Sequence, residues 1–166
     1  MLFRVGADGW FAFANRRYRC ALGRGGISAD KREGDGATPA GRFALRRVLY
    51  RADRVPRPAT GLPVAAIGPR DGWCDDPADA AYNKPVCLPY GARAEALFRA
   101  DGLYDILAVI GHNDDAVLPG AGSAIFLHLA RLDHGPTEGC VALAAEPLRE
   151  ALALADASSV IEILGG

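Results

Sequence analysis

A chain of 166 residues, half of them hydrophobic and 23 % charged, holds one domain with its own core and is too short for two comfortable ones. Nineteen basic against 20 acidic side chains leave a net charge of −1, and no nucleic-acid partner is expected. No stretch approaches the ~20 apolar residues of a membrane span.

The N-terminus, Met1 to Asp8, is interrupted by Arg4 and Asp8 and predicts no secretory signal. Trp10 to Ala14, a polar Asn15-Arg16 turn and Arg17 to Leu22 predict a β-hairpin. Arg42 to Arg51 alternates Phe43 and Leu45, then Val48 and Tyr50, as a strand carrying a bulge would. Ala92 to Ala100 places Ala94, Leu97 and Phe98 at helical spacing. Ile106 to Ile110 is a continuous apolar run, expected as a strand buried on both faces. Ser123 to Ala130 and Cys140 to Ala144 follow as strands. Ala145 to Ala155 reads as a second helix, with Pro147 in its first turn and an apolar stripe of Leu148, Ala151, Leu152 and Ala155. Ser159 to Leu164 is the last strand. The expected fold is mainly β, a sandwich or open barrel with two short helices, forming a single domain over residues 1–166.

Charge is distributed unevenly. Residues 1–60 hold thirteen Lys/Arg against five Asp/Glu, and residues 61–166 hold six against fifteen. Such asymmetry marks either a nucleic-acid or membrane-binding half or two halves that fold into one neutral domain. The basic residues alternate with apolar ones, as on strand faces, which favours the second. Two long stretches, Gly23 to Gly41 and Arg51 to about Tyr90, show no periodicity. Loops of that length are usually functional. The second holds Trp73, Asp75, Asp76, Tyr82 and Asn83, a mixture that fits either substrate lining or the capping of sheet edges.

Four cysteines stand at 20, 74, 87 and 140 with no CxxC pair, so the spacing does not point to zinc. Cys20 is expected as a buried free thiol, and Cys74 with Cys87 is the one pairing worth considering. Cys140 differs, because it follows Gly139 in Thr137-Glu138-Gly139-Cys140, twelve residues after His128. Glycine permits a tight turn whose amide N–H groups can hold a developing oxyanion while the sulfur attacks. A free thiol with a pKa near 8.5 is only roughly 3 % thiolate at pH 7, so it needs a base. His128 on a strand is the expected base. His134, on a mobile turn, is its rival, and His112 and Asn113 after the buried strand are candidates for lining the site.

The segment resembles the L,D-transpeptidase catalytic domain (the YkuD-like family), whose signature is a histidine, a variable loop and then Ser/Thr-x-Gly-Cys. His128 and Thr137 to Cys140 match it residue by residue. Lys31 to Gly41 looks like the family's GDGxTPxG turn, and Gly72 to Pro77 with Ile110 to Asp114 look like a proteobacterial branch. Leu129, Glu138 and Ala142 depart from the better-known branch, and the loop between His128 and Cys140 is short.

The resemblance implies a cysteine acyl transferase on peptidoglycan stem peptides, forming L,D (3→3) cross-links through a thioester. His128 would be the base and the Gly139 and Cys140 N–H groups the oxyanion donors. Thr137 would shape the turn or donate a hydrogen bond, and Glu138 would orient His128 or recognise the acceptor amine. It implies no cofactor or metal, a monomer, and covalent inhibition by carbapenems. A hydrolase on the same scaffold, either an L,D-carboxypeptidase or an amidase, and a non-catalytic wall-binding module remain alternatives. The substrate implies the cell envelope, whereas the missing signal leaves a cytoplasmic role open.

Overall fold

A computed structural model describes residues 1–165. Strand β1 (Leu2–Gly6) runs into β2 (Trp10–Phe13) and β3 (Arg16–Ala21), followed by the two-residue strands β4 (Ile27–Ser28) and β5 (Thr38–Pro39). The long β6 (Gly41–Tyr50) precedes β7 (Val64–Ala66), β8 (Asp71–Cys74), β9 (Pro85–Cys87) and β10 (Ala94–Ala96). Then come β11 (Ile106–Ile110), β12 (Phe126–Leu129), β13 (Val141–Leu143), the helix α1 (Ala145–Leu154) and β14 (Val160–Leu164). Strands take 37 % and helix 6 %, so the fold is mainly β as expected, with one helix among the described residues rather than two.

Nine strands form one sheet in the order β11-β12-β13-β3-β2-β1-β14-β6-β7, and β11 also pairs with β6. That pairing closes the sheet into a barrel with β7 appended to it, and closure leaves few edges to protect. In the β6–β11 ladder Leu45 pairs with Ile110 and Val48 with Ala108, so β6 has one residue too many between them. This is the bulge expected from its broken alternation.

The hairpin is also present, but Phe13 pairs with Arg16, so its turn is Ala14-Asn15 rather than Asn15-Arg16. Ala14 accepts φ +47°, the left-handed backbone that a two-residue hairpin turn requires. β1 is an addition to the expected strands and pairs in parallel with β14. The helix predicted over Ala92 to Ala100 is absent. Ala94–Ala96 instead pairs antiparallel with Gly72 to Cys74 in a separate three-stranded sheet, β10-β8-β9. The spacing of Ala94, Leu97 and Phe98 was a coincidence over too few residues, and pairing with β8 decided the backbone. Part of the second long aperiodic stretch is thus sheet.

β11 shows how the two layers meet. All five of its residues are buried. Ile106, Ala108 and Ile110 join the barrel core with Phe3, Phe11, Leu127 and Ile161, and Leu148, Ala151 and Leu152 of α1 pack into that same core. Leu107 and Val109 point the other way, into a second core with Trp73, Leu97, Tyr104, Phe126 and Cys140. The second core lies on the opposite face of the β11–β12 ladder, where Trp73 of β8 meets Phe126 edge-on at 5.3 Å. Cys20 is buried in the barrel core, and Cys20, Cys74, Cys87 and Cys140 are all free thiols.

Candidate active site

His128 and Cys140 share this second face by register. β12 and β13 are parallel, with His128 beside Ala142 and Leu127 beside Val141. Side chains alternate along a strand, so Cys140, two residues before Ala142, lies on the His128 face and level with Phe126. The sulfur is held from both sides. The Phe126 N–H donates to Sγ at 3.3 Å, and the thiol donates to the Ala124 carbonyl at 3.3 Å. Burial pushes the Cys140 thiol up to about 12.

The His128 ring is oriented by its own strand. Nδ1 lies 2.8 Å from the Leu129 carbonyl oxygen, which can only accept, so Nδ1 carries the proton and Nε2 is the bare acceptor. Nε2 has no hydrogen-bond partner, and no buried side-chain nitrogen or oxygen is left unpaired among the described residues. Nε2 therefore opens into the cavity that His128 lines. That cavity, of about 420 Å³, is lined by Cys140 as well. Burial lowers the imidazolium pKa to about 4, so the ring is neutral near pH 7. Tyr104 meets it edge-on at 5.2 Å and donates its hydroxyl to Glu95 at 2.7 Å. No hydrogen bond joins His128 to Cys140 in this state.

The Cys turn rests on the glycine-rich segment. Gly139 has φ +135°, and a Cβ there would sit 2.8 Å from the Ala37 carbonyl oxygen. Thr38, fully buried, accepts the Gly23 N–H at 2.8 Å and donates to the Cys140 carbonyl at 3.4 Å. Thr137 donates to that carbonyl at 2.7 Å and accepts the Gly139 N–H at 3.1 Å. This corrects the expectation that both turn amides are free, because the Gly139 N–H is occupied by the Thr137 hydroxyl. Glu138 is exposed and pairs with Arg24 at 2.8 Å rather than with His128.

The other predicted residues divide. Asp75 lines the cavity and pairs with Arg93 at 3.0 Å. Trp73 is buried beneath it and donates its indole N–H to Asn83 at 2.9 Å. Asp76 only caps a local turn through the Ala78 N–H. His112 lies outside the cavity lining, its Nε2 2.8 Å from the Ala121 carbonyl, and Asn113 ties the following loop to Leu118 and Gly122. His134, the rival base, is exposed and lines a neighbouring groove.

Asn83 has a larger part than its sequence position suggested. Its Oδ1 accepts the Ala124 N–H at 3.0 Å, and its Nδ2 donates to the His112 and Asn113 carbonyls. It thereby holds Ala124 at φ +52°, aiming the carbonyl that takes the thiol hydrogen. Asn83→Ala strands buried donors and acceptors and is expected to lower unfolding free energy in urea by about 3 kcal/mol. A loss below about 0.5 kcal/mol would contradict this role.

Sequence reasoning missed Glu95, Arg99 and Tyr104. Glu95 and Arg99 fell inside the segment read as a helix, and nothing local marks Tyr104. Burial raises the Glu95 carboxyl pKa although the Tyr104 hydroxyl and Arg99 oppose it.

The profile of the YkuD L,D-transpeptidase catalytic domain matches residues 8–163. The chain belongs to this family. No curated protein matches. Among solved structures, the helical cell shape determining protein Pgp2 from Campylobacter jejuni is similar at 16 % identity and a TM-score of 0.47. The match covers 98 % of this YkuD chain and 46 % of the Pgp2 chain, so this chain spans less than half that protein's length.

Proposed function

We propose that this YkuD-family chain is a cysteine acyl transferase acting on peptidoglycan stem peptides, with Cys140 as nucleophile and His128 as base. One observation carries the proposal: a neutral imidazole fixed by the Leu129 carbonyl offers a bare Nε2 to the cavity lined by the Cys140 thiol. The thiol near 12 and the imidazolium near 4 make a preformed ion pair unfavourable, so the proton moves as the sulfur attacks.

When the donor stem binds, the thiol hydrogen turns from Ala124 toward His128. The sulfur bonds to the carbonyl carbon between the third-position diamino acid and D-Ala, and the π pair moves onto oxygen. The Cys140 N–H holds that oxyanion, joined by the Gly139 N–H as Thr137 releases it. One such donor contributes ~3 kcal/mol. Collapse breaks the C–N bond, and D-Ala leaves with the imidazolium proton. The amine of a second stem attacks the thioester, gives a proton to His128 and forms the 3→3 cross-link, and the proton returns to sulfur. Water in place of the amine would yield a trimmed tripeptide.

Incubation with a carbapenem followed by intact-mass measurement tests the nucleophile. One covalent adduct is expected on the wild type and none on Cys140→Ala. An unmodified wild type overturns the proposal. With muropeptides, cross-linked dimers support transfer, and tripeptides alone assign hydrolysis.

A further inference from the structure

The carboxylates on the cavity wall other than Glu33 are each matched by an arginine. Glu138 pairs with Arg24 at 2.8 Å, Glu95 with Arg99 at 3.4 Å and Asp75 with Arg93 at 3.0 Å. Glu33 is different. It lines the same cavity, yet no cation lies within ion-pair distance of it among the described residues. Its neighbours in sequence pair with other carboxylates, Lys31 with Asp35 at 2.5 Å and Arg32 with Asp30 at 2.8 Å.

Glu33 is nevertheless fixed. Its Oε2 accepts the Tyr82 hydroxyl at 2.5 Å and the Ser123 hydroxyl at 2.7 Å, and both donors are buried, at 2 % and 8 % exposure. The Tyr82 oxygen in turn accepts the Gly122 N–H at 3.0 Å. Oε1 accepts no hydrogen bond among the described residues. Two buried hydroxyls thus orient a carboxylate that has no cation of its own. It stands near the sulfur: one hydrogen bond leads from Glu33 to Ser123, one peptide bond to Ala124, and one hydrogen bond to Cys140. In the lining of the same cavity, the nearly buried His128 leaves its Nε2 without a hydrogen-bond partner.

We infer that Glu33, held by Tyr82 and Ser123, is an ammonium-binding subsite that selects stem peptides whose third side chain ends in a primary amine. The inference rests on the acyl-transfer proposal, which puts the carbonyl of that third residue at Cys140. A side chain with a flexible four-carbon stem reaches away from the sulfur and brings its compact ammonium to Oε1. A charge-assisted hydrogen bond of this kind strongly favours the amine over its neutral acetamide.

Calorimetric binding to Cys140→Ala tests the subsite without chemistry, using L-Ala-γ-D-Glu-L-Lys-D-Ala and its Nε-acetyl-lysine analogue. The free amine is expected to bind at least about tenfold tighter. Adding Glu33→Gln, which keeps an acceptor oxygen for Tyr82 and Ser123, should bring the ratio close to one. Equal binding of the two peptides, or a preference that survives Glu33→Gln, overturns the subsite. Should the double variant fold poorly, salt gives the answer on Cys140→Ala itself. The preference should shrink between about 0.05 M and about 0.5 M salt, and a salt-independent preference overturns the assignment. Failure of wild-type turnover on the same peptides would sink the acyl-transfer proposal separately.

Discussion

His128→Ala is expected to slow carbapenem acylation of Cys140 by about 10²- to 10⁴-fold, the usual contribution of a positioned general base. Loss of the ring removes the only acceptor nitrogen in the cavity lining that is oriented by a backbone carbonyl. His134→Ala should stay within about twofold of wild type, because His134 is exposed and outside that cavity. Intact-mass time courses measure both, and the opposite order would reverse the assignment of the base.

The pH dependence follows from the same burial. A histidine lowered from 6.5 to about 4 stays a competent acceptor well into acid, so the acid limb of acylation should fall near pH 4. Stability carries the matching sign. The unfolded chain binds this proton more readily than the folded one, so the stabilisation is fully present above about pH 6.5 and is lost as pH falls toward 4. The loss is about 3 kcal/mol, and His128→Gln should flatten it in urea titrations at pH 7 and pH 4.

The second large effect is expected at Gly139. Gly139→Ala combines a side chain at φ +135° with a Cβ 2.8 Å from a backbone oxygen of Ala37. Real Cβ atoms do not approach backbone that closely, so residues 138–140 must shift, carrying the sulfur and the Thr137 hydrogen bonds with them. A displacement near 1 Å at a reacting atom lowers rates by about 10²-fold, and that loss of acylation is expected here. Left-handed strain adds about 1–3 kcal/mol of destabilisation, read from urea unfolding. Gly34→Ala separates the two causes, because Gly34 has φ +76° and nothing within 4 Å of its Cβ. It should show the strain and keep the acylation rate. A Gly139→Ala protein that reacts like wild type would remove the turn from the site.

The interlock of Gly139 with Ala37 also explains why the glycine-rich segment matters to a cysteine a hundred residues later. Thr38 and Thr137 hold the Cys140 carbonyl in place, and the Gly23 N–H in turn fixes Thr38. The motif was visible in Lys31 to Gly41, but its use as a buttress was not, because the contact spans sequence-distant backbone. Glu33 lay inside the same motif and gave no sign of facing the cavity. Its orientation depends on Tyr82 and Ser123, from two other parts of the chain.

Local sequence was enough where residues decide their own neighbourhood. Alternation and its interruption in Phe43 to Tyr50 placed a bulged strand, and the run Ile106 to Ile110 placed a doubly buried one. Pro147 with the Leu148–Leu152 stripe placed the helix. Histidine followed by a Gly-Cys turn identified the candidate nucleophile and base, because such chemistry needs specific side chains. Tertiary structure decided what depends on partners. Pairing with β8 overrode the helical spacing of Ala94, Leu97 and Phe98, since three residues carry little intrinsic preference against a ladder of hydrogen bonds. Parallel register placed Cys140 on the His128 face, and burial made both groups neutral at rest. Desolvation and long-range hydrogen bonding act through space, so only the folded chain sets them.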